Sequence, residues 1–261
     1  MNRSLKKIFS HDCLRERLRQ SAMPTPLITD EWMHTLPAAL QRYLHVTRFV
    51  NRSMPLSAAI QWKNVFIKLA IDKKWTALQC QQFNTMAEPC RIAYMNIRKW
   101  GFPIMEGLDK YQDGKGSMHI KLLKYISKGN LTGHEMDQSA LVTVLAESLI
   151  LPGCLIQPYL QWKEIDEHTV MGTLSHGGIS VSGSFHFNNN GQWIQFKTND
   201  RWMLQPDGSF HQVAWSGFID DYFAYDGLCL PGNMRTIWHT DKGDFEYFKG
   251  DIFGIDYDGT T

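Results

Sequence analysis

Residues 179–187 read ISVSGSFHF. In an extended chain Ile179, Val181, Gly183, Phe185 and Phe187 fall on one side, and Ser180, Ser182, Ser184 and His186 on the other. Side chains of a strand alternate between faces, so this period of two predicts a strand with one buried and one polar face. Such a strand needs paired neighbours and a cover over its apolar side. Turn signals bracket it: His176-Gly177-Gly178 before, Asn190-Gly191 after. Strands that follow one another through short turns of this kind favour antiparallel pairing over βαβ units.

The same pattern extends in both directions. Immediately before 179–187 a strand is expected at 162–174 (with a break at Asp166-Glu167), and downstream at 192–198, 210–215, 234–239 and 245–257, with turns at 205–208 and 241–244. Upstream, residues 58–71 alternate imperfectly, which predicts a bulge or burial of both faces. Residues 91–100 alternate better, and 117–126 mix both periods. The stretch 107–116, GLDKYQDGKG, reads as turn-rich, with Asp113-Gly114 as a hairpin centre. Two helices are expected. One covers 37–46, with Pro37 in its first turn. The other covers 134–151, capped by Thr132 or Asp137, with Leu141, Val144, Leu145 and Leu149 as its apolar stripe and Pro152-Gly153 as its end. Nine or ten strands with two or three helices predict an α+β fold: a large curved, mainly antiparallel β-sheet packed against two or three helices. Residues 1–30 are read as a basic, flexible N-terminal extension broken by Pro24 and Pro26, and 31–261 as a single α+β domain.

Charge narrows the partners. Lys plus Arg total 27 against 26 Asp plus Glu, so no nucleic acid is expected. The imbalance sits at the N-terminus, where residues 1–20 hold six Lys or Arg and two Asp or Glu. That pattern suits a solvated basic helix, or peripheral contact with a membrane surface or partner. No run of 18 uncharged apolar residues occurs, so no transmembrane segment is expected. No apolar core follows the basic residues, so a conventional signal peptide is not expected either. Cys13, Cys80, Cys90, Cys154 and Cys229 are scattered and odd in number, which reads as a reduced, cytoplasmic protein.

Glu147 is the one residue charged at pH 7 between Gln138 and Trp162. Flanked by apolar residues on a helix, it fits a structural ion pair, an exposed helix position, or a ligand-binding or catalytic acid. Asp137, ten residues away, would lie about 15 Å along the same helix, too far for a carboxylate pair. Partners for Glu147 are sought in the strand-rich half: Arg235, Arg201, Tyr222 and Trp238. If the chain is an enzyme, Glu147 would act with Asp109, Tyr111, Asp221 or Tyr222. If it binds a ligand, Glu147, Trp215, Tyr222 and Trp238 are the candidates, backed by the aromatic residues crowding the last third. No metal site and no cofactor is expected. HEMDQ at 134–138 lacks the second histidine of a zinc helix, and no GxSxG or phosphate-binding glycine loop is present. Cys154 follows a helix end whose dipole disfavours a thiolate, so a structural role is expected for it.

Four stretches carry a resemblance: LAESLILPGCL (145–155), WKEIDEHTVMGTL (162–174), AWSGFIDDYFAYDGLCLPGNMRTIW (214–238) and FEYFKGDIFGIDY (245–257). Together they resemble the uncharacterised bacterial DUF6544 (DUF6920-like) family, over about 36–257. In that family a helix bearing an acid precedes a break, and a strand-rich half with a Pro-Trp, Tyr, Gly and Pro series follows. Here Ala214-Trp215 stands in place of the usual Pro-Trp, and Leu151 precedes Pro152. The resemblance implies no activity. At the level of fold it implies a likeness to LolA-like proteins, in which a curved sheet cups helices. Three functions stay open: binding of an apolar or amphipathic small molecule in a sheet–helix pocket, an enzyme with an acid-containing site, and a protein-interaction or structural module.

Overall fold

The computed structural model describes residues 4–100, 102–122 and 126–258, with 126–128 described by backbone alone. Six strands form a meander in its first half: β1 (Ser57–Ile67), β2 (Thr76–Thr85), β3 (Cys90–Lys99), β4 (Phe102–Gln112), β5 (Lys115–Leu122) and β6 (Ile126–Leu131). Before them come α1 (Leu5–Gln20), α2 (Asp30–Met33) and α3 (Ala38–Val46), and after them α4 (His134–Ala146). The second half supplies β7 (Leu160–Asp166), β8 (Thr169–His176), β9 (Ile179–Phe187), β10 (Trp193–Thr198), β13 (Ala214–Phe218), β16 (Asn233–Thr240) and β17 (Gly243–Tyr257) to the same sheet. Two small hairpins, β11 (Trp202–Leu204) with β12 (Phe210–Gln212) and β14 (Tyr222–Tyr225) with β15 (Leu228–Pro231), stand beside it.

The sheet has thirteen strands in the order β6-β5-β4-β3-β2-β1-β17-β16-β13-β10-β9-β8-β7. Every pairing in it is antiparallel. Chain order places β6 at one edge and β7 at the other, and α4 is the link between them. The helix touches β4 and β5 on one side and β8 and β9 on the other, so the sheet curls around it. The curl brings two distant hairpin turns into contact. The Tyr111 hydroxyl lies 2.9 Å from His176 Nδ1, and a Cβ on Gly177 would sit 2.8 Å from the Gly114 carbonyl oxygen. Gly177 also has φ of +60°, so conformation and contact both require glycine there.

Enclosure explains α4. Every residue from Ser139 to Ala146 is buried, so the helix has no polar face, and the expected single stripe is corrected to burial all round. It ends at Ala146, short of 151, and passes into tight turns at Ser148–Ile150 and Pro152–Ile156. Its N-cap is Gly133, without a side-chain cap, so neither Thr132 nor Asp137 caps it. Asp137 instead accepts from the Gly116 amide at 2.8 Å and from Lys115 at 2.9 Å, tying α4 to the β4–β5 turn. That turn is the expected Asp113-Gly114 hairpin, with φ of 53° and 75°.

Other expectations are refined. Strand β9 has the expected bounds, and Val181, Gly183, Phe185 and Phe187 are buried. The break at Asp166-Glu167 is a hairpin turn, with Asp166 opposite Thr169. Residues 107–112 belong to β4 and are not a turn. Strands β2, β4, β6, β11, β14 and β15 add to the expected count. Positions 123–125 of the strand expected at 117–126 lie outside the described residues.

The convex side of β2, β3 and β4 carries α1. Leu5 packs with Cys90, Ile92, Tyr94 and Leu108. Lys110 donates to Asp12 at 2.9 Å and Gln112 to Glu16 at 2.6 Å. Arg15 and Arg19 hold Asp113 at 2.8 and 2.7 Å. The sequence predicts a flexible extension here. The described part of it makes these contacts, and residues 1–3 lie outside the described residues. Among the described residues no helix is long and apolar enough to cross a membrane.

Candidate functional site

Between α4 and the concave face of the sheet lies a cavity of about 340 Å³. Its walls follow from strand periodicity. On β2, Cys80 and Gln82 point inward while Phe83 points to α1. On β3, Ala93 and Met95 point inward while Ile92 and Tyr94 pack under α1. Trp62, Trp193, Trp215 and Trp238 bring indoles from β1, β10, β13 and β16. Met95, Met118, Met136 and Met234 contribute flexible thioethers, which adapt to irregular shapes. The β11–β12 hairpin closes one side with Trp202, Leu204 and Phe210.

The polar part of the wall is built around Glu147. It follows the last residue of α4, where the helix dipole is unfavourable to a negative charge, and its side chain is only 4% exposed. Three residues of β2 and β3 compensate. Gln82 Nε2 and Asn84 Nδ2 donate to Oε2 at 2.6 and 2.9 Å. Arg91 Nε lies 2.9 Å from Oε1 and 3.0 Å from Oε2. Arg91 also reaches Asp109 Oδ2 through Nη1 at 2.8 Å, so one guanidinium joins two carboxylates. Burial opposes the Arg91 charge, but Glu147 and Asp109 outweigh it and hold its pKa above the ordinary arginine value. The chain of donors continues outward, from Trp62 Nε1 to Gln82 Oε1 at 3.2 Å and from Gln82 Nε2 to Asn84 Oδ1 at 3.1 Å. Burial pushes the neighbouring Cys80 thiol up to about 12.

One helical turn from Glu147, Thr143 Oγ1 accepts from Arg201 Nη1 at 2.9 Å. The Arg201 guanidinium lies over Trp215 at 4.4 Å and Trp238 at 5.4 Å from the ring centres. The backbone around it is fastened to α4: the Trp202 amide donates to Ser139 Oγ at 2.9 Å and Gln138 Nε2 to the Asp200 carbonyl at 2.9 Å.

Of the residues singled out in the sequence, the cavity therefore gathers Glu147, Asp109, Arg201, Trp215 and Trp238. Tyr111 lies away from it against His176, where burial, then the charge of Asp137, push its hydroxyl above the usual tyrosine range. Asp221 is exposed near Gly232. Tyr222 donates to the Trp193 carbonyl at 2.9 Å and is not part of the wall. The partners expected for Glu147 are corrected. Arg235 pairs with Asp220 at 2.9 Å, Arg201 with Thr143, and Glu147 is met from the first half of the chain. Arg91 is the residue that sequence reasoning missed. Its signal is a charge in register with inward-facing Ala93 and Met95, at the start of the apolar run Ile92–Met95.

His176 and His186 lie at opposite ends of the β8–β9 ladder, His176 opposite Ile179 and His186 opposite Thr169. Among the described residues no group of three or more His, Cys, Asp or Glu is placed to hold a metal ion.

A family model described as a family of unknown function, DUF6544, matches residues 26–250. The chain belongs to this family. The match takes in the whole cavity wall and leaves α1 outside. No curated protein matches the chain. Three solved structures share 7–11% identity with this DUF6544 chain. A candidate outer membrane lipoprotein-sorting domain from Vibrio parahaemolyticus is 7% identical over 85% of this chain and 94% of its own, with a TM-score of 0.43. A DUF1329 family protein from Desulfovibrio piger is 11% identical over 86% and 93%, also at 0.43. A LolA superfamily protein from Nitrosomonas europaea is 11% identical over 84% and 91%, at 0.41.

Proposed function

We propose that this DUF6544 protein binds an apolar or amphipathic small molecule in the cavity between α4 and the concave face of the sheet. The observation that carries the reading is the wall itself: indoles and thioethers around about 340 Å³, with a few polar groups gathered at one helix end. That is the composition of small-molecule sites, which span roughly 300–1,000 Å³. The Glu147 network favours this over acid catalysis, because both oxygens of that carboxylate are engaged by protein donors. The five free cysteines support the cytoplasm as the proposed location. Peripheral membrane contact, if made, would use the exposed side of α1, where Leu14 and Leu18 stand beside Lys6, Lys7 and Arg17.

The test is to fill the space. Gly217 lines the cavity, and a Cβ there meets nothing nearer than Trp215 at 3.7 Å. Gly217→Leu is expected to fold and to lose binding of N-phenyl-1-naphthylamine, followed by dye fluorescence and by energy transfer from the cavity tryptophans. Absence of saturable dye binding in the wild type, or undiminished binding in a folded Gly217→Leu, overturns the proposal.

A further inference from the structure

Arg201 differs from Arg91 in one respect. Arg91 meets two carboxylates, whereas Arg201 has none within ion-pair distance among the described residues. Its Nη1 uses one hydrogen bond to Thr143, its plane rests on Trp215 and Trp238, and its buried Nε has no protein partner. An indole face offsets part of the charge but accepts none of the five N–H bonds of a guanidinium.

The same wall holds three more buried polar atoms without a protein partner: Trp193 Nε1, Trp202 Nε1 and Thr236 Oγ1. The indole nitrogens can only donate, and the hydroxyl can donate. Leaving such a group unserved is unfavourable, because its hydration is lost and nothing replaces it. Water can serve these donors, but an anionic acceptor serves them and the Arg201 charge together. The acidic side of the cavity shows the opposite condition. Glu147 already accepts from three residues, so it offers little to a cationic ligand.

We propose, resting on the small-molecule reading above, that the ligand is a long-chain monocarboxylate whose head group is held by Arg201 and whose tail lies among the methionines and aromatic side chains. The charge count selects one negative charge over two. Arg91, Arg201, Glu147 and Asp109 sum to zero, and Glu147 lies about 6 Å along the helix axis from Thr143. A single added anion brings this group to −1 with Arg201 as its direct partner, whereas a phosphate dianion brings it to −2 beside Glu147.

Calorimetric titration of the full chain with hexadecanoate, hexadecanol, hexadecyl phosphate and hexadecylamine, each below its micelle concentration, tests this. The wild type is expected to bind hexadecanoate at least about tenfold more tightly than each of the others. Arg201→Gln is expected to abolish that preference while hexadecanol affinity stays within about twofold. Arg201→Lys, which keeps the charge and loses the planar fork, is expected to retain part of the preference. Should Arg201→Gln fail to fold, the wild-type ranking and Arg201→Lys decide. Equal affinity for acid and alcohol, preference for amine or phosphate, or a preference that survives Arg201→Gln overturns the head-group assignment alone. If none of the four binds, that assignment and the cavity reading fall together.

Discussion

Replacing Glu147 by Gln keeps the shape of the side chain and removes its charge. The carbonyl of the new amide can still accept from Gln82 and Asn84. Its NH₂ then faces Arg91 Nε, donor against donor, at the place where the wild type has distances of 2.9 and 3.0 Å. Breaking a buried ion pair from one side costs about 3–5 kcal/mol. Two features lower that figure. Arg91 retains Asp109 at 2.8 Å, and Asp109 is 25% exposed, so water reaches that side of the cluster. The expected loss is about 2–4 kcal/mol, or roughly 4–8 °C in Tm for a chain of this size. Urea unfolding followed by tryptophan fluorescence and far-ultraviolet circular dichroism measures it, with the slope on urea unchanged. Arg91→Gln alone should cost a similar amount, and the double variant Arg91→Gln/Glu147→Gln clearly less than the sum, because neither charge is then left alone. A Glu147→Gln protein within about 0.5 kcal/mol of wild type, or strict additivity in the double variant, refutes the reasoning.

Two further outcomes are expected. The Asp113 carboxyl is held below its ordinary value, first by the Arg19 hydrogen bond and then, against the cost of burial, by Arg15 and Arg19 together; its contribution is full above the unfolded carboxylate pKa and is lost as pH falls through the folded one, so hydrogen exchange should show α1 amides losing protection on acidification before the sheet does, and α1 holding as long as β9 would count against this. Gly177→Ala, at φ of +60° and 2.8 Å from the Gly114 carbonyl, should destabilise by more than about 1 kcal/mol in thermal unfolding, whereas Gly178→Ala, at φ of +80° with open space around its Cβ position, should carry the backbone penalty without the clash and cost less.

The sequence is most legible where only one face of a strand is buried. Strand β9 alternates cleanly because its serines and His186 face outward. Strand β2 escapes the hydrophobic pattern because both faces are covered only at its end, from Gln82 to Thr85, while Ala77, Gln79 and Gln81 are exposed. Phe83 packs toward α1, while Gln82 and Asn84, polar by composition, are buried in the Glu147 network. No hydrophobic period survives such a pattern. Residues 107–112 looked like a turn for a related reason: Gly107 and Asp109 are inward-facing positions of β4, and Asp109 is tolerated there because Arg91 meets it. The location of Glu147 near apolar surroundings could be read locally, but its partner could not. Arg91 is 56 residues away and arrives beneath the end of α4 only because the sheet curls, a property of strand order that no local pattern encodes. The aromatic side chains of the last third were rightly seen as numerous, yet Trp215 and Trp238 reach the cavity while Tyr222 spends its hydroxyl on a backbone carbonyl.

The centre of the sheet is sewn from two segments far apart in the chain, with Ala58 opposite Tyr257 and Ile60 opposite Ile255. During synthesis the six-strand meander leaves the ribosome first, and β1 must then wait as a bare edge until β17 has been made. Unpaired edges recruit other strands, and pairings so distant in sequence close slowly. A nascent chain stalled anywhere before β17 thus presents an open seam, and a prematurely terminated product carries two half-sheets with no strand to join them. The bulges between Gln61 and Trp62 and between Lys63 and Phe66 interrupt the regular ladder of that waiting edge, which makes it a poorer template for a neighbouring chain. For a cell making this protein, the hazardous interval is the time taken to translate from β1 to β17, and a holding chaperone would find its binding surface at the middle of the finished sheet.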